Sequence, residues 1–382
     1  MSLAELEQDP HRALARMRPV GWVPELNAWL VTGYDLALSV LRDARTFTVD
    51  DPRFATARVV GPSMLSLDGE PHARHRDAFY GPFRAARVRE RLAAFVQAEA
   101  DRLVDGIAAD GTADLRLAVA GPLAVAVMAR ALDLVNEPAI LDWYAAIVAA
   151  TSAYASGEPD PGVLARGAAA FGELSGRLRA AACPGSLLAQ ACAALTQDEA
   201  VSNAAVLMFG GIETTEGMIA NALLHLLTSP DQLALVRADP DLVAAAAEES
   251  LRLEPAAAVV DRYATADTVL AGAPVKAGDQ VTVSIAGANR DPAVFTDPDR
   301  FDVRRVNASR QLAFAHGPHF CLGAHLARLE ARIAVTTVLA RLPGLRLDDA
   351  GPDGPAAARG LVFRKPPHLR ARWSPSGSSV IP

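Results

Sequence analysis

The sequence predicts a single large domain over residues 1–382, mainly α-helical with small β-sheets. Helix-length apolar patterns dominate from about His72 to Leu253, and short β-branched runs occur near residues 20–35 and 259–285. No internal repeat or low-complexity linker divides the chain, and apolar residues make up 51% of it. Together these observations favour one large core over two independent domains.

The first sixty residues alternate between helical and strand-like patterns. Residues 1–17 are charged and helical, and they contain no apolar run long enough to cross a bilayer. Trp22-Val23 and Trp29-Leu30-Val31 predict two strands joined by a turn at residues 25–27, and a helix follows over Leu36–Leu41.

Helices are predicted to fill the middle of the chain. Glycine and proline residues separate them at Gly81-Pro82, Gly121-Pro122, Gly157–Pro161 and Pro184-Gly185. A capping box at Thr196–Glu199 opens a long helix that reaches about Leu227. Beyond Leu253 the sequence predicts strands at Val259–Tyr263 and Val281–Ile285, and then a proline-rich meander over Asp291–Arg305.

Charge and cysteine content limit the function classes. A formal net charge of −7 argues against nucleic acid as a general partner. The three cysteines, Cys183, Cys192 and Cys321, are too few for a secreted disulfide framework. With no signal peptide or membrane anchor in the sequence, we expect a cytoplasmic protein that binds no membrane.

Cys321 is the strongest candidate for chemistry. It lies in Phe314-Ala315-His316-Gly317-Pro318-His319-Phe320-Cys321-Leu322-Gly323, just before a predicted helix that ends at Pro343-Gly344. A helix N-terminus favours a thiolate, and Gly317 and Gly323 allow a tight bend and a close approach to a flat group. A lone cysteine is more often a small buried hydrophobe, but the surrounding pattern outweighs that interpretation here.

A glycine pair lies inside the long helix, in Gly210-Gly211-Ile212-Glu213-Thr214-Thr215. Each glycine costs a helix about 1 kcal/mol relative to alanine, so close approach of a planar group or room for a small ligand is expected to offset that cost. A helix–helix crossing is the alternative for the glycine pair taken alone. The Thr214 hydroxyl can bond the Gly210 carbonyl and locally open the helix. We interpret Glu216 as a solvated or capping charge.

These segments resemble soluble bacterial cytochromes P450, in the same order along nearly the whole chain. The resemblance implies the P450 fold, haem b held by the Cys321 thiolate, and Phe314 packed near the ligand loop. Ala315 departs from the glycine that is usual there, and Ile212 departs from a common histidine. By the same resemblance Gly210, Gly211 and Gly323 lie against the cofactor, Thr214 supports a groove beside O₂, and Glu213 relays protons.

Charged residues are also assigned by this resemblance. Glu249 and Arg252 match the family's Glu-x-x-Arg pair and are expected to form a buried structural network with Arg305 of the meander. Four further residues are expected to bind the haem propionates: His72, Arg76, Arg262 and His319. Arg84, Arg87, Arg89 and Arg91, relieved only by Glu90, suggest a basic face for an acidic ferredoxin.

The substrate pocket implied by the resemblance is aliphatic. It is expected to include Val59, Val60, Met64, Leu65, Phe209, Val259, Val260 and residues 361–363, among them Val362, together with helices around 140–175. Any of these side chains is about as often plain core. The favoured substrate is an apolar, medium-sized organic molecule such as a secondary metabolite.

The sequence therefore predicts a monomeric, O₂-dependent monooxygenase that receives electrons from NAD(P)H through a separate ferredoxin and ferredoxin reductase. Alternatives are a peroxide-driven enzyme, which tends to lose the acid–alcohol pair, and an atypical P450 that catalyses oxidative coupling. A haem-binding sensor or P450-like partner protein, with no catalytic role, is the alternative from another class.

Overall fold

The computed structural model describes residues 2–134, 139–155, 160–348 and 355–375. The predicted break at Gly157–Pro161 lies mostly outside these residues. The described chain is mostly helical with three small sheets, which confirms the predicted fold class.

Fifteen helices are assigned within the described residues. In chain order, α1 to α15 span Leu3–Gln8, His11–Arg16, Tyr34–Arg42, Ala55–Val60, Gly69–Tyr80, Ala85–Ala108, Gly121–Ala131, Ile140–Ala155, Pro161–Ala181, Leu187–Ala191, Gln197–Thr228, Pro230–Ala238, Leu242–Leu253, Ile285–Ala288 and Ala324–Arg341. No helix in the described ranges is long and apolar enough to cross a membrane.

Helix α11 lies at the centre of the helical layer. The Thr196 hydroxyl accepts from Glu199 N, and the Glu199 carboxylate accepts from Thr196 N, so the predicted capping box is present. The helix packs against α7, α9, α13 and α15. Most of its residues are therefore buried.

The strands form a five-stranded sheet and two smaller ones. In chain order, β1 to β10 span Val20–Val23, Ala28–Val31, Phe47–Thr48, Thr112–Asp114, Val259–Ala264, Thr268–Leu270, Ala273–Val275, Gln280–Ser284, Arg346–Leu347 and Arg370–Arg372. The large sheet has the order β1-β2-β8-β5-β3, in which only β2 and β8 run parallel.

Several strand predictions are confirmed and others were missed. The pair β1–β2 and strands β5 and β8 were expected from their β-branched and aromatic runs. The sheet β4-β10-β9 was not expected. Its strands have two or three residues each, and β4 pairs with β10 across more than 250 residues of sequence, so local patterning gives little sign of them.

Candidate active site

The segment that carries Cys321 connects a single 3₁₀ turn, Gly317–His319, to α15. Cys321 N donates to the Phe314 carbonyl at 2.9 Å and thereby closes the loop. Gly317 has φ +74°, and a Cβ there would lie 2.6 Å from the Leu41 carbonyl oxygen. Glycine is thus required both by the backbone conformation and by the contact with α3. Ala315 also has positive φ, +56°, which is unfavourable for a residue with a Cβ.

The environment of the Cys321 thiol only partly matches the sequence expectation. The side chain is accessible, yet protein surrounds it closely enough that burial is the largest influence and raises the pKa of the thiol. Backbone N–H groups of Gly323 and Ala324 and the guanidiniums of Arg76 and Arg328 act in the opposite direction. The helix N-terminus favours the thiolate as expected, but this effect is outweighed by burial.

One face of α11 remains accessible. Between Ala200 and Leu224 only Leu207, Gly210, Gly211 and Thr214 are partly exposed. Their spacing of three and four residues places them on one side of the helix. The Thr214 hydroxyl donates to the Gly210 carbonyl at 2.6 Å, as predicted, although α11 stays continuous through this point.

The two glycines on this face have different surroundings. A Cβ on Gly210 would meet nothing within 4 Å, whereas one on Gly211 would lie 2.3 Å from the Met128 sulfur on α7. Gly211 therefore makes the close helix–helix contact that was the alternative for the glycine pair, and its contact with the cofactor stays a prediction. Gly210 alone keeps open space beside Thr214.

Glu213 and Glu216 share one ammonium group. Lys365 Nζ lies 2.7 Å from Glu213 Oε1 and 2.5 Å from Glu216 Oε2, and Arg116 Nε lies 2.8 Å from Glu216 Oε1. Glu216 is 6% exposed. The interpretation of Glu216 as a solvated or capping charge is therefore wrong, because the helix turns this side chain inward between two cations.

Cationic and imidazole groups gather near the Cys321 loop. The His72 and His319 rings lie 4.3 Å apart, and buried His72 Nε2 has no hydrogen-bond partner in the described part of the chain. Arg262 is 4% exposed and donates only to the Asp261 carbonyl among the described residues. Arg76 donates to the Phe320 carbonyl at 2.7 Å, directly beside Cys321.

Asp68 is a member of this group that sequence reasoning missed. Its Oδ1 lies 2.8 Å from His319 Nε2. The only local signal is an aspartate just before α5, which predicts an N-cap, but the side chain makes no capping hydrogen bond. Its role depends on a residue 251 positions away, which no local pattern reveals.

The predicted structural network is assembled from three segments. Arg252 contacts both carboxylate oxygens of Glu249 at 2.8 Å, and Arg305 Nε contacts Glu249 Oε1 at 2.8 Å. Glu249 and Arg252 are fully buried. Arg252 and Arg305 also donate to backbone carbonyls between Asn289 and Arg300, so the network holds the meander against α13.

The proposed pocket residues differ in accessibility. Val60, Met64 and Phe209 are buried, whereas Leu65, Val259 and Val260 are partly exposed and Val362 is exposed. Val60 and Met64 belong to the main core, and Val260 packs against a second cluster around β2 and β8. Phe209 contacts Tyr144 and Phe363 through its ring, which joins α8, α11 and the late segment in one aromatic group.

These features fit the haem that the sequence resemblance implies. Cys321 offers an accessible sulfur, and a Cβ on Gly323 would meet only that sulfur, at 3.9 Å. Gly210 keeps space open on α11. His72 Nε2 and the Arg262 guanidinium offer buried donors without sufficient acceptors, which suits a ligand with two carboxylates.

Comparison with known proteins gives consistent results. The family profile described as "Cytochrome P450" matches residues 186–367. Cytochrome P450 monooxygenase PikC of Streptomyces venezuelae is 39% identical over 89% of this chain and 85% of its own length. Nocardicin C N-oxygenase of Nocardia uniformis is 36% identical over 91% and 90%. The crystal structure of CalO2 superposes with a TM-score of 0.88 at 30% identity, covering 97% of both chains.

Proposed function

The chain belongs to the bacterial cytochrome P450 family and is a monooxygenase, and from this premise we propose that it inserts one oxygen atom of O₂ into an apolar, medium-sized organic molecule. In this proposal the electrons come from NAD(P)H through a separate ferredoxin and ferredoxin reductase. The observation that carries it is the combination of Thr214 on the accessible face of α11, the adjacent buried Glu213, and Cys321 just before α15.

Haem, when bound, supplies the iron that binds and activates O₂. Cys321 is the proposed iron ligand, and His72, Arg76, Arg262 and His319 are the proposed propionate partners. Phe314 supports the loop, since its ring packs under the Arg328 guanidinium at 4.4 Å and its carbonyl accepts from Cys321 N.

Proton delivery is proposed to depend on Thr214 and Glu213. Because the Thr214 hydroxyl donates its proton to the Gly210 carbonyl, its oxygen is left as an acceptor on the accessible face of α11. There it can orient a water molecule. Glu213 forms an ion pair with Lys365, whose side chain is 14% exposed and so reaches the protein surface. A proton from solvent can reach Glu213 by this route and pass to the Thr214 side.

The substrate class follows from the pocket lining. The candidate residues are aliphatic or aromatic, and the ring group of Tyr144, Phe209 and Phe363 forms an apolar wall. Apolar walls with few polar groups select by shape and hydrophobic contact. A relative named for N-oxygenation of nocardicin C supports a secondary metabolite as substrate.

The central test is the carbon monoxide difference spectrum of the dithionite-reduced protein. We expect the far-red-shifted Soret band of thiolate-ligated haem, and its loss in Cys321→Ala. Cys192→Ala is the matched control, because that thiol is exposed and remote in sequence, and it should keep the band. A spectrum typical of histidine-ligated haem, or one in which Cys321→Ala changes nothing, contradicts the assignment.

A second experiment separates O₂-dependent turnover from the peroxide-driven alternative. With ferredoxin, reductase and a substrate found by spin-state shift, Thr214→Ala should divert reducing equivalents from product to hydrogen peroxide. Thr215→Ala is the neighbouring control, since Thr215 is buried on another side of α11. Intact coupling in Thr214→Ala, or efficient turnover on peroxide alone, would refute the proton-delivery role.

A further inference from the structure

Asp68 connects three segments that meet at the edge of the candidate haem site. Its Oδ2 accepts from the Thr48 hydroxyl at 2.6 Å and from Val49 N at 2.8 Å, both at the end of β3. Its Oδ1 accepts from His319 Nε2 at 2.8 Å, in the Cys321 loop. Asp68 itself directly precedes α5, which carries His72 and Arg76.

The carboxylate is well satisfied, unlike its neighbours. Burial is the largest single influence on its pKa and raises it, but hydrogen bonds from His319, Thr48 and Val49 together bring the pKa of Asp68 below its usual value. An ionised carboxylate can only accept hydrogen bonds, so Asp68 is the acceptor in its 2.8 Å contact with His319 Nε2. In contrast, buried His72 Nε2 has no partner, and Arg262 has one hydrogen bond among the described residues.

This arrangement fixes the His319 ring. The His319 side chain is 7% exposed, the His72 ring packs 4.3 Å from it, and the Asp68 contact anchors its Nε2. With Nε2 engaged, Nδ1 is the ring nitrogen left for another ligand. Removal of a carboxylate that orients a metal-ligating histidine typically costs about 10–100-fold in metal affinity or activity. Loss of ring orientation, the same physical cause, would act here on a propionate contact.

We propose that Asp68 is a positioning residue for haem, which acts by holding the His319 ring in the orientation that receives a propionate. The proposal rests on the proposed function, because it takes Cys321-bound haem as the occupant of this site. Asp68 does not bind the cofactor itself, since its oxygens are already occupied by three donors.

Charge and geometry predict opposite results for removal of Asp68. A carboxylate near two propionates repels them, so loss of its charge alone should slow haem release. Loss of the His319 anchor should speed haem release. The direction of the change therefore distinguishes a positioning role from a purely electrostatic one.

The test measures haem transfer from the ferric holoenzyme to excess apomyoglobin, which does not depend on turnover. We expect Asp68→Ala to speed transfer on the order of tenfold. In a His319→Ala background, Asp68→Ala should add nothing, because its effect passes through His319. Asp35→Asn is the charge-matched control, since exposed Asp35 lines the same cavity of about 770 Å³ as Asp68. Loss of its charge alone should not speed haem transfer.

Asp68→Asn keeps the side-chain volume and provides a second variant if Asp68→Ala does not fold. A single amide oxygen cannot accept at both Oδ positions, so faster haem transfer is expected here too. Unchanged or slower transfer, or an effect of equal size in the His319→Ala background, overturns the proposal. If the wild-type protein shows no thiolate-ligated haem, the proposed function itself fails. If the wild type has thiolate-ligated haem and the Asp68 variants transfer haem at the wild-type rate, only the positioning role of Asp68 fails.

Discussion

Lys365 illustrates at the residue scale how one side chain can determine the state of two others. Its ammonium lies between Glu213 and Glu216, which are three residues apart on α11 and so project from the same side of the helix. The side chain of Lys365 is 14% exposed, that of Glu213 is 11% exposed and that of Glu216 is 8% exposed. Both carboxylates therefore depend on Lys365 for charge compensation, and only Glu216 has a second cation, Arg116.

Lys365→Met should destabilise the protein by about 3 kcal/mol, because it leaves the Glu213 carboxylate nearly buried without a counter-charge. Lys365→Arg keeps the charge and should recover much of that loss. The measurement is urea-induced unfolding of the holoenzyme. Adding Glu213→Gln to Lys365→Met should restore stability relative to Lys365→Met alone, since the uncompensated charge is then gone. Simple additivity of the two substitutions would contradict the shared ion pair.

The reach of sequence reasoning differs among these residues for a physical reason. The Cys321 loop, the Glu249-Arg252 pair and the Thr214–Gly210 hydrogen bond each join neighbours within one helix or loop. The hydrogen bond followed from residue spacing, and the ion pair from the resemblance to the family. Lys365 meets α11 across about 150 residues and lies in an irregular segment. Glu216 and Asp68 were misjudged or missed because their partners are brought to them only by the folded chain.

At the scale of the element, α11 contains two adjacent glycines with different tasks. Gly210→Ala should raise stability by up to about 1 kcal/mol, since alanine favours a helix and a Cβ there meets nothing within 4 Å. Gly211→Ala should lower stability by about 1–3 kcal/mol, because its Cβ would overlap Met128. Thermal or urea unfolding of the two variants provides the comparison.

Substitutions at the same two glycines should affect protein stability and ligand binding differently. Gly210→Ala places a methyl group beside the Thr214 face, so it should weaken haem or substrate binding even as it stabilises the helix. A Gly211→Ala, Met128→Ala double variant should be less destabilised than the sum of its parts, because the smaller side chain makes room. Equal changes in stability for Gly210→Ala and Gly211→Ala would contradict the different surroundings of the two glycines.

The length of an element also decided how well it was predicted. The capped 32-residue α11 was expected almost to its ends, because caps and apolar periodicity are local. Strands β9 and β10 have two and three residues, and they exist only because β4 and the end of α15 bring them together. For such elements tertiary pairing supplies the specificity that their own sequences lack.

For the whole molecule, one partly buried histidine predicts loss of stability in mild acid. His225 on α11 bonds Ser250 on α13 and packs 5.2 Å from the Phe301 ring of the meander. Burial lowers the pKa of His225 to about 4, below its ordinary value of 6.5. A base whose pKa falls on folding stabilises the protein fully above 6.5, and this contribution is lost as pH drops toward 4.

The fall in unfolding free energy due to His225 should be on the order of 2 kcal/mol between pH 6.5 and 4, reduced from the full shift because the residue is partly exposed. Urea midpoints measured across this range should show a shallower pH dependence in His225→Gln than in the wild type. His325→Gln is the control, since His325 is exposed and its replacement should leave the slope unchanged. An identical dependence of the urea midpoint on pH in all three proteins would show that His225 does not cause the loss of stability in acid.

The charge distribution of the whole protein provides the last prediction. The chain carries a net charge of −7, yet Arg84, Arg87, Arg89 and Arg91 are all exposed at the start of α6. Their helix follows α5, whose Arg76 contacts the carbonyl of half-exposed Phe320 beside Cys321. Only Glu90 opposes them locally, through an exposed pair with Arg87 that contributes little. An acidic electron donor would therefore be steered to the side of the molecule nearest the proposed iron ligand.

The double variant Arg87→Glu, Arg89→Glu should slow ferredoxin-supported turnover about tenfold or more at low ionic strength, and the difference should shrink as salt is added. Its substrate affinity, measured by spin-state shift, should stay unchanged, because the basic face is separate from the apolar pocket. Arg12→Glu, Arg16→Glu on α2 carries the same net charge and serves as the control, with both arginines exposed. Before rates are compared, carbon monoxide spectra of both dithionite-reduced variants check that the haem site is intact. Equal slowing in the two double variants would show that total charge, and not this basic face, governs electron delivery.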